Sequence, residues 1–363
     1  MGYDCFNPWP AGNALLSPPQ WGDDISRDRL RGIDNTLGVV YPQALGWGGT
    51  AAPTCGAVWT TRASAADNNW SSITWAAELG LLVAVAFSGT GNRVMTSTNG
   101  IDWTARTSAA DTSWGSITWA AELGLLVAVA GSGTGNRVMT STNGIDWTAR
   151  TSAADNFWNS ITWAAELGLL VAVAASGTGN RVMTSTNGIN WTTRTSAADE
   201  SWSSITWAAG LGLLVAVAAS GTGNRVMTST NGINWTTRTS AADNFWNSIT
   251  WAAELGLLVA VAYSGTGNRV MTSTNGIDWT TRASAADASW SSITWAAELG
   301  LLVAVPFSGT VNRVIMTSTN GINWTARTSA ADTSWNSITW AAELGLLVAV
   351  ASSGTGNRVM TSS

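Results

Sequence analysis

Apolar and polar positions along most of the chain fall into short runs punctuated by glycine, asparagine, serine and aspartate. Between positions 67 and 110 there are four such runs, near residues 72–76, 81–86, 93–97 and 103–107. They are rich in β-branched and aromatic residues, and none reaches the ~10–12 residues expected of a helix. The spacing predicts four β-strands, A to D. The second run, Leu-Leu-Val-Ala-Val-Ala, is apolar at every position, as in a strand covered on both faces. Asn99-Gly100, between the third and fourth runs, predicts a tight hairpin.

The pattern repeats. Trp70, Trp114, Trp158, Trp202, Trp246 and Trp290 are 44 residues apart, and Trp335 follows after 45 because Ile315 is one extra residue. Parallel series begin at Trp59 and Trp75, so three series of seven account for 21 of the 24 tryptophans. Four strands in a period of roughly 40–45 residues make one propeller blade. The seventh unit stops at Ser363 after its strand C, and a matching strand D, Val58-Trp59-Thr60-Thr61-Arg62, precedes the first strand A. The expected fold is all-β, a seven-bladed β-propeller of four-stranded blades over residues 58–363. In it the N-terminal strand closes the last blade and removes an open sheet edge. Residues 1–57 hold six of the seven prolines and both cysteines, and read as an extended irregular N-terminal arm.

The C–D hairpin reads Ser97-Thr98-Asn99-Gly100-Ile101-Asp102-Trp103 and recurs in the next five units, with Asp or Asn before the tryptophan. This box resembles the Asp-box, or BNR repeat, of sialidases and other propellers, in a slightly shortened form with asparagine where aspartate is usual. The resemblance implies a hairpin between the third and fourth strands of a blade, capped by an Asx side chain, with the tryptophan packed beneath. It carries fold more than activity. Sialidase chemistry uses an asymmetric arginine cluster, a tyrosine nucleophile and acidic partners. Here the blade arginines recur around the ring, and Tyr263 is the only tyrosine in a blade.

Composition narrows the chemistry. The chain has no histidine and no lysine, so its 17 basic residues are all arginine; charged residues are 11% and the net charge is −5. Histidine-based triads and metal sites, Schiff-base lysines and P-loops are excluded. An acidic chain with scattered arginines lacks the basic footprint of a nucleic-acid binder. No apolar run approaches the ~20 residues of a membrane-spanning helix, and the first residues lack the features of a signal peptide. Cys5 and Cys55 are too few for a zinc site but could form one disulfide closing the arm into a loop. The chain reads as a non-enzyme with no cofactor and no metal. Asp67 and its copies read as loop-closing Asx turns.

The units can also be compared with one another. Positions 68, 69 and 71 vary, and position 87 varies most in size, as Phe87, Gly131, Ala175, Ala219, Tyr263, Phe307 and Ser352. Strands A and B are antiparallel, so these positions should share one rim. The opposite rim, with Glu78 and the Asx hairpins, changes less, apart from Gly210 in place of glutamate. The variable rim is either a contact surface or freely drifting loop. In a regular strand, Trp70 and Trp75 point to opposite faces, which would put Trp75 with Ile73 between blades. The series Trp70, Trp114, Trp158, Trp202, Trp246, Trp290 and Trp335 would then join Phe87, Tyr263 and Phe307 as a partly exposed platform for sugar rings. Pro306, Val311 and Ile315 are the other breaks in symmetry.

In the arm, Phe6, Trp9, Trp21 and Trp47 with the charged Arg27, Arg29 and Arg31 suit docking onto another surface. An arm followed by a ring-shaped head predicts a virion-associated recognition protein of phage type. Residues 1–57 would attach it to a capsid or tail protein. The propeller would be displayed on the virion surface for multivalent binding of host-surface glycan or protein. Self-association is left open. A free lectin-like propeller and a ligand-free structural decoration are the alternatives.

Overall fold

The computed structural model describes residues 55–308 and 314–363. The arm residues Phe6, Trp9, Trp21, Arg27, Arg29, Arg31 and Trp47 lie outside the described residues, as do Val311 and one half of the Cys5–Cys55 pairing.

The described chain forms seven four-stranded antiparallel sheets. In blade 1 strand A is Trp70–Ala76, B is Leu81–Ala86, C is Val94–Ser97 and D is Thr104–Arg106. A 3-10 turn, Ala77–Leu79, links A to B. The same order repeats in blades 2 to 6. Blade 7 holds strands A to C from the C-terminal unit and takes its strand D, Thr60–Arg62, from the N-terminal side of blade 1. Thr60, Thr61 and Arg62 pair with Thr361, Met360 and Val359. The chain is a seven-bladed β-propeller.

Each core layer lies between neighbouring blades. One joins Trp70, Ile73, Leu82, Ala84 and Ala86 of blade 1 to Val348, Val350 and Val359 of blade 7. The next joins Val83, Val85 and Val94 of blade 1 to Trp114, Ile117, Leu126 and Ala128 of blade 2. Strand B therefore buries both faces, as its unbroken apolar run requires. The extra residue of blade 6 changes this little. Ile315, opposite Arg327, is fully buried and takes the place that Val94 holds opposite Arg106, while Val314 is displaced toward the loop and is only half-buried.

The C–D hairpin is held by side chain-to-backbone bonds. Ser97 Oγ accepts from the Gly100 amide at 2.8 Å, and Asn99 Oδ1 accepts from the Ile101 and Asp102 amides at 2.9 Å each. Trp103 Nε1 donates to the Gly100 carbonyl at 3.2 Å. Gly100 has φ +71°, and a Cβ there would come within 2.4 Å of Leu346 Cδ2. Both the turn geometry and the close neighbour call for glycine.

Strand A departs from regularity at its start. A β-bulge between Trp70 and Ser72 sets Trp70 opposite Ala86, Ile73 opposite Ala84 and Trp75 opposite Leu82. The extra residue reverses the alternation, so Trp70 lies on the same face as Ile73 and Trp75. The expected exposed platform is thereby corrected. Trp70, Trp114, Trp158, Trp202, Trp246, Trp290 and Trp335 are all fully buried. Trp70 Nε1 donates to the Ala66 carbonyl at 3.0 Å, which satisfies its one polar atom inside the core. Trp75 is half-buried against the same cluster, and its indole N–H reaches the Glu343 carboxylate of blade 7.

Candidate functional site

The seven strands A lie side by side around the axis and are bonded to one another. Ser72 Oγ accepts from the Ile117 amide of the next blade at 3.2 Å, and the bond recurs around the ring. Position 71 adds a second set. Ser71 Oγ donates to the Trp114 carbonyl, and Asn159, Asn247 and Asn336 send their amides to the next blade in the same way. Part of the variation at position 71 is therefore a choice among side chains that can staple adjacent blades.

Positions 69 and 87 meet as the antiparallel pairing predicts. The Phe87 amide donates to the Asn69 carbonyl at 2.9 Å, and the Tyr263 amide to the Phe245 carbonyl at 2.9 Å. Behind them, Arg93 fixes the loops. Its Nη1 donates to the Phe87 and Thr112 carbonyls and its Nε to the Gly89 carbonyl, all at 2.8 Å. Asp111 lies 3.6 Å from Arg93 Nε and accepts from the Gly91 amide at 2.8 Å. Asp67 does the same for Arg358 and Gly356 of blade 7. These aspartates latch one blade to the next, which corrects the expectation of a turn closed within one loop. Among the described residues no group of three or more acidic, cysteine or histidine side chains is placed to hold a metal ion.

The latched loops surround one axial cavity of about 420 Å³, to which every blade contributes. This lies within the range of small-ligand pockets, roughly 300–1,000 Å³. The seven units are far from equivalent here. Phe245 and Tyr263 meet edge to face with ring centroids 5.4 Å apart, and Tyr263 and Phe307 at 5.9 Å. Phe245 is 41% exposed and Phe307 39%. They line one side, while Asn69, Phe87, Gly115, Asn159, Ser201 and Ser203 are among the residues that line the rest. Burial pushes the Tyr263 phenol from its ordinary value near 10 up to about 12, so it stays protonated near neutrality. Asn69 lines the cavity, and its Oδ1 is buried with no hydrogen-bond partner. Among the described residues no carboxylate or guanidinium lines the cavity.

Of the residues expected at this rim, Phe87, Tyr263 and Phe307 converge on the cavity, whereas the seven tryptophans sit beneath it. Phe245, Asn159, Asn247 and Asn336 line it too and were not singled out by their chemistry; their signal was the variation at positions 69 and 71. That variation is coupled between blades. A Cβ at Gly131 would come within 2.6 Å of the Phe157 ring, so the large residue of blade 3 needs the small one of blade 2.

No protein-family model and no curated protein matches the chain. Solved structures do. A streptogramin B lyase structure superposes with a TM-score of 0.68 at 13% identity, over 84% of this chain and 96% of the other. A chain of a mitotic checkpoint complex gives 0.62 at 14% identity, over 92% of this chain and 99% of the other. The likeness is one of fold. A lyase and a checkpoint component share the ring, so the ring alone does not assign an activity.

Proposed function

We propose that the chain is a non-enzymatic recognition module whose axial cavity binds glycan on a host surface. The observation that carries this reading is the convergence of Phe245, Tyr263 and Phe307 on a cavity otherwise lined by serine and asparagine. Aromatic faces receive the C–H face of a sugar ring, and neutral donors and acceptors receive its hydroxyls. Among the described residues the lining offers no group that would exchange protons with a substrate near neutral pH. The capped Asn99 hairpins support kinship with Asp-box propellers.

The proposed setting is a virion surface, supported by the division of the sequence into a proline-rich arm and a repeat ring. Residues 1–57 would attach to an assembly protein. With one asymmetric cavity per chain, multivalency would come from many copies in the particle rather than from seven sites in one ring. Two measurements test the reading. Purified particles should contain the protein, and the full chain should bind glycans on an array in a manner lost with Phe307→Ala. Silence of the array at high protein concentration would favour a ligand-free decoration instead.

A further inference from the structure

Resting on the glycan reading of the axial cavity, we infer that it selects a neutral sugar terminus and discriminates against acidic ones. The strongest recognition of a carboxylate or sulfate comes from a guanidinium or an ammonium aimed at it. The chain has no ammonium side chain, and the arginines nearest the rim face away from this task. Arg93, Arg137 and Arg225 each donate to three backbone carbonyls, and Arg269 donates to the Tyr263 and Gly265 carbonyls. The other series sits on strand D, where Arg106 Nε donates to Thr96 Oγ1 on the neighbouring strand. Among the described residues both series build the scaffold, and neither lines the cavity.

One carboxylate, with no arginine among its hydrogen-bond partners, stands one residue from the lining. Glu200, beside the lining residue Ser201, accepts from Ser220 Oγ at 2.7 Å and from Asn224 Nδ2 at 3.3 Å. The latch carboxylates of Asp67 and Asp111 are 43% exposed around the same loops. An acidic sugar entering the cavity would lose water and meet no cation among the described lining residues, which opposes binding. A neutral ring meets the aromatic side chains of Phe245, Tyr263 and Phe307 on one side and the uncharged serine and asparagine lining on the other.

The test is calorimetric titration of the full chain with oligosaccharides ending in galactose, mannose or N-acetylhexosamine, against the same chains capped by sialic or uronic acid. The expected result is binding of at least one neutral chain and at least tenfold weaker binding of its acidic counterpart. Tyr263→Ala and Phe307→Ala should each weaken the neutral chain about tenfold while circular dichroism stays unchanged, and Ser201→Arg should narrow the neutral-to-acidic ratio. Equal or tighter binding of the acidic chain, still lost with Phe307→Ala, would overturn the selectivity and leave the glycan site standing. Neutral binding that ignores both aromatic substitutions would overturn these side chains as the platform. If no chain of either kind binds, the glycan reading falls, and this inference falls with it.

Discussion

Trp251 faces Gly210 across the junction of blades 4 and 5, with no carboxylate to receive its indole N–H. At the other six junctions the equivalent tryptophan donates to a glutamate one blade back, as Trp119 does to Glu78 and Trp163 to Glu122. A Cβ on Gly210 would lie 3.0 Å from Trp251 Cζ2, a neighbour distance that needs only a slight shift. Gly210→Glu should restore the bond and raise stability by about 0.5–1.5 kcal/mol. Urea unfolding of the two proteins measures it. An unchanged or lower midpoint would show that the bond adds nothing at this seam.

Trp70→Ala removes a fully buried indole and the bond from its Nε1 to Ala66. The expected loss is about 3–5 kcal/mol, the range for a large aromatic in a core. Glycan affinity of the fraction that remains folded should be unchanged, because the ring does not line the cavity. A change in affinity greater than threefold at constant fold would mean that the tryptophan does reach the ligand.

Asp67 joins the first loop to the last blade through Arg358 and the Gly356 amide. The carboxylate is 43% exposed, so its ion pair is screened and most of its effect comes from the amide bond. Asp67→Ala should cost about 1 kcal/mol. Amide hydrogen exchange should show faster opening at Gly356 than at Gly135, whose own latch to Asp155 is intact.

Tyr263 gives a pH signature. Its folded value of about 12 exceeds the ordinary value of 10.0, so the folded state holds the proton more tightly than the unfolded chain. The phenol therefore adds no penalty below pH ~10, and stability falls as the pH rises from about 10 to 12, by roughly 2–3 kcal/mol in all. Tyr263→Phe should remove that part of the alkaline loss. Matching denaturation midpoints for the two proteins at pH 11 would count against a buried phenol.

Blade number, strand order and ring closure could be read from residue spacing, because each strand carries its own local signature and Val58-Trp59-Thr60-Thr61-Arg62 matches a missing piece. The strand bounds shift by only a residue or two, as at Thr104–Arg106. The bulge at Trp70 could not be read. Nothing in Trp-Ser-Ser marks an extra residue; the irregularity comes from the indole turning inward to the Ala66 carbonyl. The Trp119–Glu78 bond was hidden for another reason. Its partners lie 41 positions apart in different units, and a single unit viewed alone shows an unpaired acid. The cavity was legible only as variation, since residues such as Phe157 and Gly131 acquire meaning once they touch.

The Gly56 amide donates to Ser362 Oγ, 306 positions along the chain. During synthesis at ~5–20 residues per second, the strand at Thr60–Arg62 waits roughly 15–60 s for the strand it will pair with. Meanwhile six near-identical strand C edges emerge, each a plausible wrong partner. Each of those edges is followed directly by its own Asn-Gly hairpin, which can close in about 1–10 μs. The capped hairpins thus act as kinetic proofreading of topology. They seal every internal edge before the waiting strand can take it, and leave open only the last edge made.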